Sequence, residues 1–190
     1  FVQKIKFKLD IYNSEEKKFA KIRLFIRKMK AEKGIKIFFI DYLQLINADD
    51  LKANREQQIS YIATSLADLA KHENICIIAL CQLSRKVDER KDKRPILSDL
   101  RESGDIENSA TMILFLYRPE YYKILQDDNG NSTLGLCQVE VAKNKDGACG
   151  EINLSFTAAT QRFHSEHRSQ FTPTNSLIPM SQALDETPPF

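Results

Sequence analysis

Two side chains whose types can do chemistry sit where apolar runs end. The stretch IFFIDYLQLI, Ile37 to Ile46, is apolar until Asp41, and ICIIALC, Ile75 to Cys81, is followed at once by Gln82. A carboxylate ending an apolar strand suits the holding of the hydrated magnesium of a nucleoside triphosphate, because magnesium keeps several waters and takes only one or two carboxylates. A carboxamide at the next strand end can donate a hydrogen bond to the terminal phosphate and pass nucleotide state into the chain that follows. Each residue also has a plainer reading. On its strand alone, Asp41 serves equally well as a cap for the following turn, and Gln82 alone reads as a solvent-facing polar residue. Taken together, the pair favours the chemical reading.

The elements around them must carry both residues to one place. Lys36 to Asp41, KIFFID, shows no alternation and reads as a strand of a parallel sheet covered on both faces. Asn54 and Gln57 offer a capping box, and Ile59, Ile62, Ala63, Leu66, Leu69 and Ala70 then form one apolar helical stripe reaching about Lys71. A second strand follows at Ile75 to Cys81. Strand, helix and strand make a βαβ unit, whose right-handed crossover sets both strands parallel in one sheet. Ligands of open α/β sheets lie beyond the carboxyl ends of the strands, which is where Asp41 and Gln82 fall.

Upstream, Asn13 and Glu16 form another capping pattern, and Phe19, Ile22, Phe25 and Met29 recur at helical spacing until Gly34, which predicts a helix over 14–33. Leu83 to Arg94 is mixed in charge and without periodicity, so a mobile loop is expected. Residues 98–110 predict a helical turn, a break at Gly104 and a second short helix. MILFLY, Met112 to Tyr117, reads as a third buried strand stopped by Pro119. LCQVEVA and INLSF alternate, as antiparallel strands joined by KNKDGACG would. Beyond Phe163 a polar tail with four prolines has no periodicity and is expected to be largely disordered. The expected organisation is thus one α/β domain over 1–163 and a tail over 164–190.

Composition excludes little and permits a soluble enzyme. The chain has 190 residues, 42% hydrophobic and 28% charged, enough for one sizeable core. No apolar run approaches the roughly 20 residues that span a bilayer, and FVQKIKFKLD lacks the features of a signal peptide, so a cytosolic location is expected. The four cysteines, Cys76, Cys81, Cys137 and Cys149, have no CxxC spacing and read as small core residues without chemistry. A net charge of +2 announces no nucleic-acid partner, and the Lys-rich first 34 residues read most simply as a solvated helix face. His164 and His167 could share a metal on a helix, but their surroundings give none, and no metal is expected there. The first residue is Phe rather than Met, which raises the expectation of further chain upstream.

Six stretches occur in order along the chain: IDYLQLI, REQQIS, ALCQLSR, DKRPILSDLRESGDIE, FLYRPEYY and AKNKDG. Through them residues 35–163 resemble the RecA-like motor domain of the replicative DNA helicases of the DnaB family. The resemblance implies an incomplete RecA-like P-loop NTPase core, with a mainly parallel sheet flanked by helices and a carboxyl-terminal antiparallel hairpin. It also implies ATP and magnesium as cofactors, with single-stranded DNA, a homo-hexamer, a primase and a helicase loader as partners. Asp41 matches the acid of the second nucleotide motif, holding magnesium through water, and Gln82 matches the residue that contacts the terminal phosphate. Within DLRESG, Arg101, Glu102 and Gly104 stand at the places that meet single-stranded DNA in the ring's channel. An arginine there can make a charge-assisted hydrogen bond to phosphate, and a glycine lets a main-chain amide approach without a Cβ in the way. Such contacts depend strongly on salt and little on base.

AKNKDGACG matches the hairpin that reaches a neighbouring subunit's nucleotide site. Lys143 keeps the expected lysine, whereas Lys145 stands where an arginine finger is usual, and an ammonium lacks the guanidinium's rigid fork. Ala148 replaces a frequent proline, and Ser109 and Thr111 stand where aspartates are common, which marks a divergent member. Without the resemblance, RESG reads as a helix end with its glycine cap, and Lys143 and Lys145 as a solvated hairpin turn.

No GxxxxGK[ST] phosphate loop occurs in the chain. In the family that loop and the water-activating glutamate precede the matched region, so these residues alone are expected not to hydrolyse ATP. Three readings are open: part of an ATP-dependent helicase translocating 5′ to 3′ on single-stranded DNA at the replication fork, a RecA-like repair or recombination ATPase, and a non-catalytic DNA-binding or assembly module. DLRESG argues against the second.

Overall fold

A computed structural model of the chain describes residues 10–12, 17–49, 53–165 and 172–173, with residues 101–105 and 172–173 described by their backbone alone. The chain forms two compact units, Phe1–Leu80 and Cys81–Phe190. Among the described residues no helix is long and apolar enough to cross a membrane.

In the first unit, the 3.6-residue recurrence of Phe19, Ile22, Phe25 and Met29 is realised in helix α1, Phe19–Lys33. It stops where expected, at Gly34, whose φ of 66° is a left-handed conformation that a side chain would disfavour. Its start departs from the expected residue 14. Lys18 takes the N-cap position without a side-chain cap, and is bridged to Asn47. Asp49 supplies the missing acceptor instead, its carboxylate 2.8 Å from the Ala20 amide. The expected capping pair, Asn13 and Glu16, lies outside the described residues.

Strand β1, Ile37–Ile40, pairs in parallel with β2, Cys76–Ala79, in the register Ile37↔Cys76 to Ile40↔Ala79. Helix α2, Arg55–Glu73, connects them, which realises the predicted βαβ unit. Its capping box is present in both directions, and Ile59, Ile62, Ala63, Leu66 and Leu69 are its buried residues. Ile26, Met29, Phe38 and Leu69 form the core cluster, with Ile22, Phe25, Ile35, Ile75 and Ile77 packed around it. Glu73 at the end of α2 joins the two helices through Arg27 and Lys30, at 3.0 and 2.9 Å.

The expectation that β1 is buried on both faces is corrected. Successive strand residues point to opposite faces, so Phe38 enters the core while Ile37 and Phe39 face outward, 52% and 66% exposed. Ile78 and Leu80 are likewise exposed, and so is Cys76, which had been expected in the core.

The second unit is built on a sheet of order β3-β4-β5-β6, with β7 paired to β5. Its strands are β3, Met112–Tyr117; β4, Leu136–Asn144; β5, Gly150–Thr157; β6, Arg162–Ser165; and β7, Thr172–Pro173. All pairings are antiparallel, and the β3–β4 register shifts between Ile113 and Leu114, opposite which β4 carries one extra residue, Ala142. The β4–β5 hairpin is as predicted. β3 is not buried on both faces: Ile113, Phe115 and Tyr117 are buried, while Met112, Leu114 and Leu116 are exposed, because it alternates as one member of this antiparallel sheet. β6 carries regular structure past Phe163 to Ser165, and His167, with most of the tail, lies outside the described residues. The break at Gly104 is realised as a change of helix type, from a 3-10 helix over Leu97–Ser103 to α3, Gly104–Ser109.

Candidate functional site

The parallel pairing of β1 and β2 puts their carboxyl ends on one edge. Beyond the last paired residues the edge is closed by two main-chain bonds, Leu80 N–H to the Ile40 carbonyl and Leu43 N–H to the Leu80 carbonyl, both 2.9 Å. Asp41 follows Ile40 directly and is exposed. A 3-10 turn, Leu43–Leu45, comes next, and its N-cap position is held by Tyr42. The turn has no side-chain cap, and the Asp41 carboxylate, one residue ahead of its N-cap position, is exposed at the strand end. Gln82, two residues past Leu80, is also exposed and is the second residue of the second unit.

The segment after Gln82 is not the loop expected from its composition. Ser84 caps a 3-10 turn, Arg85–Glu89, its hydroxyl oxygen accepting from the Lys86 amide, and Val87 is buried there. Arg90 then clasps Asp99 with both terminal nitrogens, Nη1 to Oδ1 at 2.8 Å and Nη2 to Oδ2. The Ile96 amide donates to the same Oδ2 at 2.7 Å, and the Ser84 amide donates to the Asp99 carbonyl at 3.0 Å. The Asp99 side chain is 2% exposed. The Arg90 guanidinium holds its carboxyl below the ordinary carboxylate range, against the opposing effect of burial and with help from the Ile96 amide. Paired charge and satisfied oxygens are what allow a carboxylate to be buried at all.

Asp99 lies in the 3-10 helix that continues through Arg101 and Glu102, and Gly104 opens α3. At the other end of this segment stands the β4–β5 hairpin. Lys143 donates its ammonium to the carbonyl of Glu107, and Lys145 reaches that of Asn108 at 3.2 Å. The hairpin closes on Asn144, whose Oδ1 accepts from the Asp146 amide at 3.3 Å. A Cβ at Gly147 would lie 2.7 Å from Asn144 Nδ2, so a side chain there would displace that bridge. Thus the structure brings Lys143 and Lys145 to the carboxyl end of α3, in the same unit as Gln82, Arg101, Glu102 and Gly104, while Asp41 belongs to the other unit.

Sequence reasoning missed the polar residues that hold this unit together. Arg94 donates to Glu151 at 3.0 Å and to Gln138, whose amide donates to Glu151 and to Asn153. The same guanidinium lies 5.1 Å from the centre of the Tyr117 ring, and the Tyr117 hydroxyl donates to the Asp92 carbonyl at 2.6 Å. The signal lay in the Arg94 of DKRP, but the 57 residues that separate it from Glu151 hid the pairing.

As a holder of magnesium, Asp41 fits one role only. Among the described residues no three His, Cys, Asp or Glu side chains gather to form a metal site. A nucleotide-bound magnesium does not need one: an exposed carboxylate at an open strand edge, acting through water, is the donor set it uses alongside phosphate oxygens. The chain carries no phosphate loop to grip those phosphates.

Comparison with known proteins places this geometry. The DnaB-like helicase C terminal domain family matches residues 2–165. The replicative DNA helicase DnaB of Rickettsia typhi is 38% identical over 169 residues, 83% of this chain and 33% of that protein. That of Geobacillus stearothermophilus is 42% identical over 143 residues, 75% and 30% of the two chains. A probable plasmid replicative DNA helicase of Chlamydia psittaci is 43% identical over 137 residues, 72% and 29%. The chain thus spans about a third of these relatives. Among solved structures, a DnaB-like replicative helicase described with its interactions with primase superposes with a TM-score of 0.75 at 37% identity, over 83% of this chain and 38% of that one. A second solved structure, described as an ATPase domain, gives a TM-score of 0.71 at 38% identity, over 78% and 51% of the two chains. These neighbours bear out the expected RecA-like α/β class, with its parallel strands, flanking helices and carboxyl-terminal antiparallel hairpin. With the family matched across the βαβ unit, the 3-10 segment and the hairpin alike, the chain belongs to the DnaB-like helicase C-terminal domain family.

Proposed function

We propose that this chain works as part of a longer, cytosolic replicative helicase that assembles as a hexamer, consumes ATP and moves 5′ to 3′ along single-stranded DNA. The observation that carries the reading is Asp41, exposed at the shared carboxyl edge of two parallel strands. Asp41 would hold the water shell of a magnesium ion, which would supply positive charge against the triphosphate, and Gln82 would donate to its terminal phosphate. Lys145, assisted by Lys143, brings positive charge to the nucleotide of an adjoining subunit. Arg101, Glu102 and Gly104 line the path of single-stranded DNA, Arg101 gripping a phosphate. A primase and a loader are the further partners that membership in this family supports.

The phosphate loop has to come from other chain, so the 190 residues alone turn over no ATP. The experiment is Asp41→Asn in a protein of this sequence that also carries a phosphate loop. Unwinding should disappear while the fold stays intact, and normal unwinding by the variant would remove the magnesium assignment. The lack of that loop also favours a second reading, a non-catalytic DNA-binding or assembly module. Single-stranded DNA binding without any effect of Asp41→Asn in the longer protein would select it. A repair or recombination ATPase is disfavoured by relatives that are replicative helicases.

A further inference from the structure

We infer that Arg90 and Asp99 are a positioning pair that sets the single-stranded-DNA contact at Arg101, an inference that rests on the DNA-binding reading above. The Asp99 carboxylate is turned entirely inward. One oxygen takes Arg90 Nη1 and the other takes Arg90 Nη2 and the Ile96 amide, so nothing is left to meet a ligand. Its work is therefore done on its own backbone. Asp99 and Arg101 are two residues apart in the same 3-10 helix, Leu97–Ser103, so a fixed Asp99 fixes the main chain at Arg101.

Two further contacts give the pair its direction. The Ser84 amide donates to the Asp99 carbonyl at 3.0 Å, and Ser84 lies two residues after Gln82. Arg90 Nη2 also donates to the Arg94 carbonyl, which seats the clamp on the DKRP segment. At the far end, Lys143 holds the Glu107 carbonyl, so residues 101–104 run between two anchored ends. A buried ion pair of this kind does little for net stability against an apolar replacement, but its two-pronged geometry specifies orientation. Orientation is what a phosphate grip requires. The bond from the Ser84 amide to the Asp99 carbonyl also ties the segment that follows Gln82 to the helix that carries Arg101.

The test uses the longer helicase that carries this chain, with its phosphate loop, and a fluorescein-labelled oligodeoxythymidylate, read by fluorescence anisotropy across a salt series. Arg101→Ala should weaken binding roughly tenfold and lower the salt slope by about 0.7, the share of one phosphate contact on a single strand. Asp99→Asn should do the same, although it touches no DNA, and the double variant should bind no more weakly than Arg101→Ala alone. Arg90→Lys keeps the charge, loses the fork and spares the fold, so it should give a smaller loss that also vanishes once Arg101 is truncated. Losses that multiply in the double variants, or Asp99→Asn and Arg90→Lys binding like the unaltered chain, would overturn the positioning role alone. An unaltered chain that does not bind, or an Arg101→Ala that binds normally, would instead bring down the DNA-binding reading, and the inference with it.

Discussion

Lys143, near the end of β4, donates its ammonium to the main-chain carbonyl of Glu107, while Lys145, two residues on, reaches the neighbouring carbonyl of Asn108 at 3.2 Å. Both cations thus sit at the carboxyl end of α3, where the unpaired carbonyls of a last helical turn favour positive charge. Their exposure divides the work. Lys143 is half-buried, whereas Lys145 is exposed and able to extend outward.

That division predicts a titration. Burial, first, and the like charge of Lys145, second, hold Lys143 below the ordinary lysine value of 10.5, with Glu107 opposing. Replacing Lys145 with Gln removes one of the two depressing causes, so the Lys143 side-chain resonance should titrate at higher pH by NMR. A titration that stays where it was would show that the two ammoniums do not feel each other. The sign for stability follows: with its folded value depressed, the charged Lys143 opposes folding, and that penalty is relieved as pH rises through the folded value.

The α2 cap gives a prediction about stability alone. Asn54 Oδ1 accepts from the Gln57 amide at 2.9 Å, and Gln57 Oε1 accepts from the Asn54 amide at 3.3 Å. Asn54→Ala should cost about 1 kcal/mol, seen as a lower urea midpoint, and Asn54→Asp should restore most of it. A midpoint unmoved by the alanine would mean that the packing of Ile59, Ile62 and Leu66 carries α2 without its cap.

Acid should weaken the second unit through Asp99. Its carboxyl is held below 3.8 chiefly by Arg90, so between the folded and unfolded values the unfolded chain binds more protons. The contribution is complete above roughly pH 4 and is lost as pH falls through the folded value. Urea melts of the unaltered chain and Asp99→Asn should differ fully at pH 6, with the gap narrowing steadily below pH 4. A gap independent of pH would remove the ion pair as its source.

What could be read from the sequence was what is local. The Asn54 and Gln57 box and the α2 stripe act within a few residues, and the βαβ unit follows from the order of runs. The place of Asp41 just past the end of β1 was legible for the same reason, since it interrupts an apolar run that has to end somewhere. What failed was tertiary. The first turn of α1 is capped by Asp49, 29 residues from the amide it meets, which no local pattern could show. IFFI and MILFLY are apolar at every position, so composition could not show that Phe39 and Leu116 face outward. Residues 83–94 looked unordered because their order comes from Asp99, beyond the stretch itself, and from a single buried apolar residue, Val87.

The last prediction concerns Lys145, proposed above to bring its charge to an adjoining nucleotide. The hairpin that carries Lys145 is fixed by its main chain, the Lys145 amide donating to the Thr111 carbonyl at 3.0 Å and Asn144 bridging the turn. The side chain itself is exposed, so exchanging it leaves that framework in place. A guanidinium presents a rigid fork to phosphate oxygens where an ammonium presents a point charge on a flexible stem. In an assembly that supplies the phosphate loop, Lys145→Arg should therefore leave ATP turnover equal or raise it, while Lys145→Ala should lower it steeply, toward the ~10³-fold scale of a lost finger. A large loss with arginine would mean that Lys145 is shaped for its Asn108 carbonyl rather than for a phosphate, and the finger assignment would have to be given up.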